Sequence, residues 1–108
     1  MLGSQGVTRV WADWLVYGVR YAISRERIES VFAFADAGAS VGRKEVFSRE
    51  AVVAALVRGA TFCTVYATGI IEWRRGSKVS LIEIQGTKYL TIPGSRVRAD
   101  DLGELPEM

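Results

Sequence analysis

The sequence predicts an α+β domain in which one short helix packs on one face of an antiparallel β-sheet, with elements in the order β-β-α-β-β-β-β. Three observations carry this. Residues 14–23 alternate with a period of two, residues 47–59 hold one capped apolar helix, and residues 62–92 break into short β-rich runs separated by turns. Short links between strands imply antiparallel pairing. A single helix with a single apolar stripe can cover only one face of the sheet, so the other face needs curling, a second copy of the chain, or water.

The first strand is the clearest. Leu15, Tyr17, Val19, Tyr21 and Ile23 fall on one side, and Val16, Gly18, Arg20 and Ala22 on the other. Ser24 to Arg27 is a polar break. A second strand runs from Ile28 to Ala35, with Ile28, Phe32 and Phe34 on one side, which predicts a hairpin. Asp36 to Glu45, rich in Gly, Ala and Ser, reads as a loop.

The helix has the strongest local chemistry. Ser48 is a natural N-cap. Glu50 lies in the first turn, where the helix dipole favours an anion. Phe47 and Val52 stand at the two positions of a hydrophobic staple, although Ala51 replaces the Glu or Gln of a full capping box. Val52, Val53, Leu56 and Val57 form the expected stripe. Arg58 closes the helix, and Gly59 suits a left-handed stop. The predicted length is about ten residues, ~15 Å.

Strands are then expected over Phe62–Ala67, Ile70–Arg74, Val79–Gln85 and Tyr89–Ile92, with breaks at Thr68-Gly69, Arg75-Gly76-Ser77 and Gly86-Thr87. Pro93-Gly94 ends the last one. Residues 1–8 read as a flexible end, 9–106 as a single domain, and 107–108 as the C-terminal end.

Several of these pieces resemble a family of small bacterial domains of unknown function. They are the helix opened by Ser48-Arg49-Glu50-Ala51-Val52 and closed at Gly59, the Thr61-Phe62-Cys63-Thr64 strand, Tyr89-Leu90-Thr91, and the tail Asp100-Asp101-Leu102-Gly103-Glu104-Leu105-Pro106. That family pairs an N-terminal hairpin and a Ser-capped helix with a β-meander and a tail like Asp-Asn-Leu-x-x-Leu-Pro, here with Asp101 in the Asn position. The resemblance implies a fold over about residues 15–106 and brings no activity with it.

Composition narrows the chemistry. The 108 residues are 49% hydrophobic and 24% charged, ordinary for one globular domain. With one cysteine and no histidine, neither an internal disulfide nor a structural zinc site is expected. Cys63 lies in an apolar strand with no base to activate it, so it reads as buried and inert. Gly38 to Lys44 lacks the spacing of a phosphate loop, because three residues separate its glycines and Glu45 follows the lysine. Asp100, Asp101 and Glu104 match no cation-binding loop and read as a solvated acidic tail. No cofactor is expected. The N-terminus lacks the pattern of a signal peptide, and the chain is read as cytoplasmic.

Charge is uneven. The net +2 combines an acidic segment, 100–108, with a body holding 14 bases against 8 acids. Two functions from different classes remain. The first is a non-enzymatic interaction module, bacterial or phage-associated, acting through a protein partner or homodimerisation, with Trp11 and Trp14 as anchors. The alternative is a nucleic-acid-binding accessory protein using Trp73, Arg74, Arg75 and Lys78 at one hairpin, where an aromatic flanked by bases can stack a nucleobase and hold its phosphates.

Overall fold

The computed structural model describes residues 11–23, 27–38, 41–68, 73–93 and 99–108. The predicted flexible end 1–8, the polar break at 24–26, the start of the Ile70–Arg74 strand and the bases Arg96 and Arg98 lie outside them. Eight elements follow one another: β1 (Trp14–Tyr21), β2 (Ile28–Asp36), β3 (Val41–Ser48), α1 (Arg49–Val57), β4 (Phe62–Ala67), β5 (Trp73–Lys78), β6 (Ser80–Ile84) and β7 (Thr87–Thr91). One short helix among strands bears out the α+β class.

The strand order differs from the expected β-β-α-β-β-β-β, because a third strand precedes the helix. Val41–Ser48 lies within the stretch read mostly as loop. It pairs antiparallel with β2 in the register Ser30 to Ser48 through Phe34 to Lys44. Backbone pairing, rather than apolar content, makes this strand, so a Gly-, Arg- and Lys-bearing stretch can form it at the sheet edge. Gly42 is required there by space: a Cβ would approach the Ala35 carbonyl oxygen to 2.8 Å.

Five strands form one sheet in the order β3-β2-β1-β4-β5, and β6 and β7 form a separate hairpin. The sheet is mixed, not antiparallel. β1 pairs antiparallel with β2, as its short link implies, but parallel with β4 through Trp14 to Phe62, Leu15 to Cys63 and Val16 to Thr64. β2, β3 and α1 together supply the long crossover that a parallel pair needs. β5 runs straight through Arg75-Gly76-Ser77, which is therefore strand and not turn.

The helix follows its sequence closely. Ser48 has extended backbone, and its Oγ accepts a hydrogen bond from the Ala51 amide at 3.1 Å. Phe47 and Val52 both pack in the main core. Gly59 takes φ +98°, the left-handed stop. The buried stripe is Val52 and Ala55 flanked by Val53 and Leu56, whereas Val57 is exposed.

Two irregularities in β1–β2 pairing decide which side chains face which way. The register shifts between Val16 and Gly18 and again between Arg20 and Tyr21. Each bulge inserts one residue and inverts the alternation beyond it. Val19 consequently joins Val16 in the core beneath α1, while Leu15 and Tyr17 pack on the opposite side. Ile28 likewise faces the helix side, and Phe34 faces away. An unbroken period of two puts Leu15, Tyr17 and Val19 together, and Ile28 with Phe34, so both groupings are corrected.

The helix side holds the main core, where Val16, Val31, Val52 and Phe62 meet Val79, Leu90, Leu102 and Leu105. The β6–β7 hairpin turns at Gln85-Gly86, both at positive φ, as a two-residue turn of this kind needs. The tail is not a solvated acidic segment. Asp100 is buried, and its carboxylate accepts hydrogen bonds from the Ile28 amide at 2.7 Å, the Leu90 amide at 2.9 Å, Arg49 Nε at 2.7 Å and Arg49 Nη2 at 3.1 Å. The tail then runs beside β1. Val19 donates to the Pro106 carbonyl at 3.0 Å, and the Met108 amide donates back to Val19 at 2.8 Å. Residues 107–108 thus pair with the sheet, beyond the expected domain limit at 106. The tail lines the half of β1 that β4 leaves unpaired, which satisfies backbone groups that would otherwise be bare.

Candidate binding face

α1, the β6–β7 hairpin and the tail residues Leu102 and Leu105 pack on one side of the five-stranded sheet, and Met108 at the end of the tail lies against Gly18. The other side carries a smaller cluster of Ala12, Leu15, Phe34, Cys63 and Val65, with Tyr17 against it. Among the described residues no helix or second sheet layer covers this cluster. Its outer layer is aromatic instead. Tyr17 stacks on Phe34, with ring centroids 5.7 Å apart and planes at 24°. Trp73 lies across from β5 and contacts both, at 5.2 Å from Phe34 and 6.3 Å from Tyr17. Phe32 extends the row on the far side of Tyr17, at 6.5 Å. Phe34 is buried beneath, while Trp73 remains 37% exposed.

Four basic residues stand around this cluster. Lys44 Nζ sits 5.6 Å from the Tyr17 ring centroid, and the Arg20 guanidinium 5.7 Å from that of Phe32, both within cation–π range. Arg75 pairs in register with Val65, and Lys78 with Cys63, so both share their partners' outward side. Among the described residues, Asp36 is the acidic residue at an outward position of β1 to β5 within these registers. The Asp36 carboxylate, near the upper edge, is occupied by the amides of Trp11, Ala12 and Gly38.

The structure therefore brings Trp73, Arg75 and Lys78 together but separates Arg74. Arg74 pairs with Tyr66 and alternates to the opposite side of β5, where it lines a shallow polar cleft of about 670 Å³ with Tyr66, Gly103 and Glu104. Of the two tryptophans expected to anchor a partner, Trp14 is taken up by the chain's own core. Its ring meets Phe47 edge-on at 4.8 Å, and Arg43 lies 5.8 Å above it. Trp11 stays exposed, with its amide bound to Asp36 at 2.5 Å. Tyr17, Phe32, Arg20 and Lys44 were not singled out by sequence. Arg20 and Lys44 were visible as bases on strands, but their meeting with Tyr17 and Phe32 depends on the bulges and on β3.

Cys63 is buried, and its thiol is directed to the Thr64 carbonyl oxygen at 3.4 Å. Among the described residues, no three of the Cys, Asp and Glu side chains converge as a metal site. Among the described residues, no helix is long and apolar enough to cross a membrane. No family model, curated protein or solved structure matches the chain.

Proposed function

We propose that this chain is a non-enzymatic interaction module that binds an anionic macromolecular partner on the helix-free face of its sheet. One observation carries the reading: Arg20, Lys44, Arg75 and Lys78 surround an uncovered aromatic cluster, and the carboxylate of Asp36 on that side is taken up by the Trp11, Ala12 and Gly38 amides. Four like charges gathered on one face disfavour the compact state, and a surface built only for solubility intersperses both signs. An anionic partner supplies the missing charge.

Self-association, the other form such a module takes, has one observation in its favour. Val46 is 61% exposed on β3, the edge of the sheet. Arg43, Lys44 and Glu45 on the same strand are the charges that usually blunt such an edge, so this reading is second. A monomer by light scattering removes it.

The test of the first reading is retention on immobilised heparin, a generic polyanion. The Lys44→Gln/Lys78→Gln variant should elute at clearly lower salt than the parent. The Arg27→Gln/Arg58→Gln variant removes the same charge from the β1–β2 turn and the helix end, and should elute close to the parent. Equal shifts for the two variants would mean that the charge acts as a sum, without a localised face, and would dismiss the proposal.

A further inference from the structure

We infer that the anionic partner is a single strand of nucleic acid whose bases stack on the ring row of the helix-free face. This rests on the binding face proposed above and adds the chemistry of the ligand. An acidic protein and a nucleic acid satisfy the four cations equally well; the rings separate them.

Trp73, Tyr17 and Phe32 form a row with centroid steps of 6.3 and 6.5 Å, and Phe34 supports the first two from below. A rigid, partly exposed aromatic row is a poor match for carboxylates on mobile stems. It is a good match for nucleobases, because every base has a π-face and stacking tolerates any sequence. The cations lie on both flanks of the row. Lys44 is on β3 at one edge, Arg75 and Lys78 are on β5 at the other, and Arg20 is on β1 between them. A strand lying with bases on the rings therefore meets a base-side platform and phosphate-side charges together. A duplex buries its base faces in its own stack and can use the charges alone.

The geometry also assigns separate parts. Trp73 stacks, because it is the most outlying ring and two others brace it. Lys44, Arg20, Arg75 and Lys78 hold phosphates. Arg74, on the other side of β5, takes no part in the platform.

The experiment is fluorescence anisotropy of the whole chain with fluorescein-labelled oligothymidylate and oligouridylate of about 12 nucleotides. A duplex of matching length and poly-L-glutamate serve as rival ligands. Single strands should bind at least about tenfold tighter than either, with a log–log salt slope of about −3, from four phosphate contacts at roughly −0.7 each. Trp73→Ala should weaken binding about 5- to 100-fold with the slope unchanged. Trp73→Phe should restore most of the affinity. Lys78→Gln should weaken all single strands alike and flatten the slope by about 0.7. Circular dichroism verifies that each variant is folded.

Equal affinity for poly-L-glutamate or for the duplex would overturn the inference. So would a folded Trp73→Ala variant that binds like the parent, or single strands that fail to bind at about 25 mM salt. A localised heparin effect without single-strand binding discards the nucleic acid and keeps the face. No localised heparin effect discards both.

Discussion

Replacing Asp100 by Ala should be among the most damaging single changes in the chain, because four donors converge on one carboxylate. Arg49 contributes Nε and Nη2, β2 contributes the Ile28 amide, and β7 contributes the Leu90 amide. The Asp100 side chain is fully buried and that of Arg49 is 10% exposed. Removing the carboxylate strands a buried guanidinium with, among the described residues, the Lys88 carbonyl oxygen 2.6 Å away, and takes the acceptor from the Ile28 and Leu90 amides. Breaking a buried pair from one side costs about 3–5 kcal/mol. A domain of this size has roughly 5–15 kcal/mol in total. At about 4–6 °C per kcal/mol, Tm should fall by about 15–25 °C.

Urea unfolding followed by tryptophan fluorescence measures this, since the chain has 3 tryptophans. Asp100→Asn keeps the shape and one acceptor and should fall between the parent and Asp100→Ala. In a double-mutant cycle with Arg49→Met, the coupling should be about 2 kcal/mol. A loss below about 1 kcal/mol for Asp100→Ala, or coupling under about 0.5 kcal/mol, would refute the hub. The hydrogen bond that Arg49 donates to Asp100 raises the Arg49 pKa above its ordinary value, against the lowering effect of burial. A raised folded pKa gives stability that is fully present below the unfolded pKa and lost only as pH rises through the folded one. For an arginine that window lies far above neutral pH, so its contribution is constant across the neutral range.

Two further changes probe local structure. Gly76→Ala puts a Cβ 2.2 Å from Thr64 Oγ1 and 2.8 Å from the Thr64 carbonyl oxygen, so thermal unfolding should show a loss of about 1–3 kcal/mol, with β5 the first strand to lose hydrogen-exchange protection. Ser48→Ala removes the oxygen that caps the Ala51 amide and should cost about 1 kcal/mol in urea unfolding, whereas Ser48→Asp should cost little.

Local chemistry made part of the fold legible. The Ser48 cap, the Gly59 stop and the β1–β2 hairpin each depend on residues near one another in sequence, and each appears as its sequence implies. β3 and the middle of β5 were hidden because edge strands carry charge and glycine, which in isolation read as loop and turn. Gly76 in particular marks close approach to Thr64 rather than a reversal of the chain.

The binding face was half legible. Trp73, Arg75 and Lys78 stand close in sequence, but Arg74 is removed from them by simple alternation along β5. Tyr17 shares the face with Leu15 by simple alternation, but Arg20 reaches it only because the bulge inverts the period beyond Tyr17. Lys44 reaches it only because β3 exists.

By itself the sequence determined a small α+β chain with one capped helix, one buried thiol, no second cysteine and no histidine. Those properties follow from composition and from interactions a few residues long. Tertiary structure alone decided that β1 and β4 run parallel, that Asp100 leaves water to join Arg49, and that four cations gather around one row of rings. Each of these joins segments tens of residues apart. Which partners meet depends on the pairing register and on what the core will accept, and no local pattern carries that information.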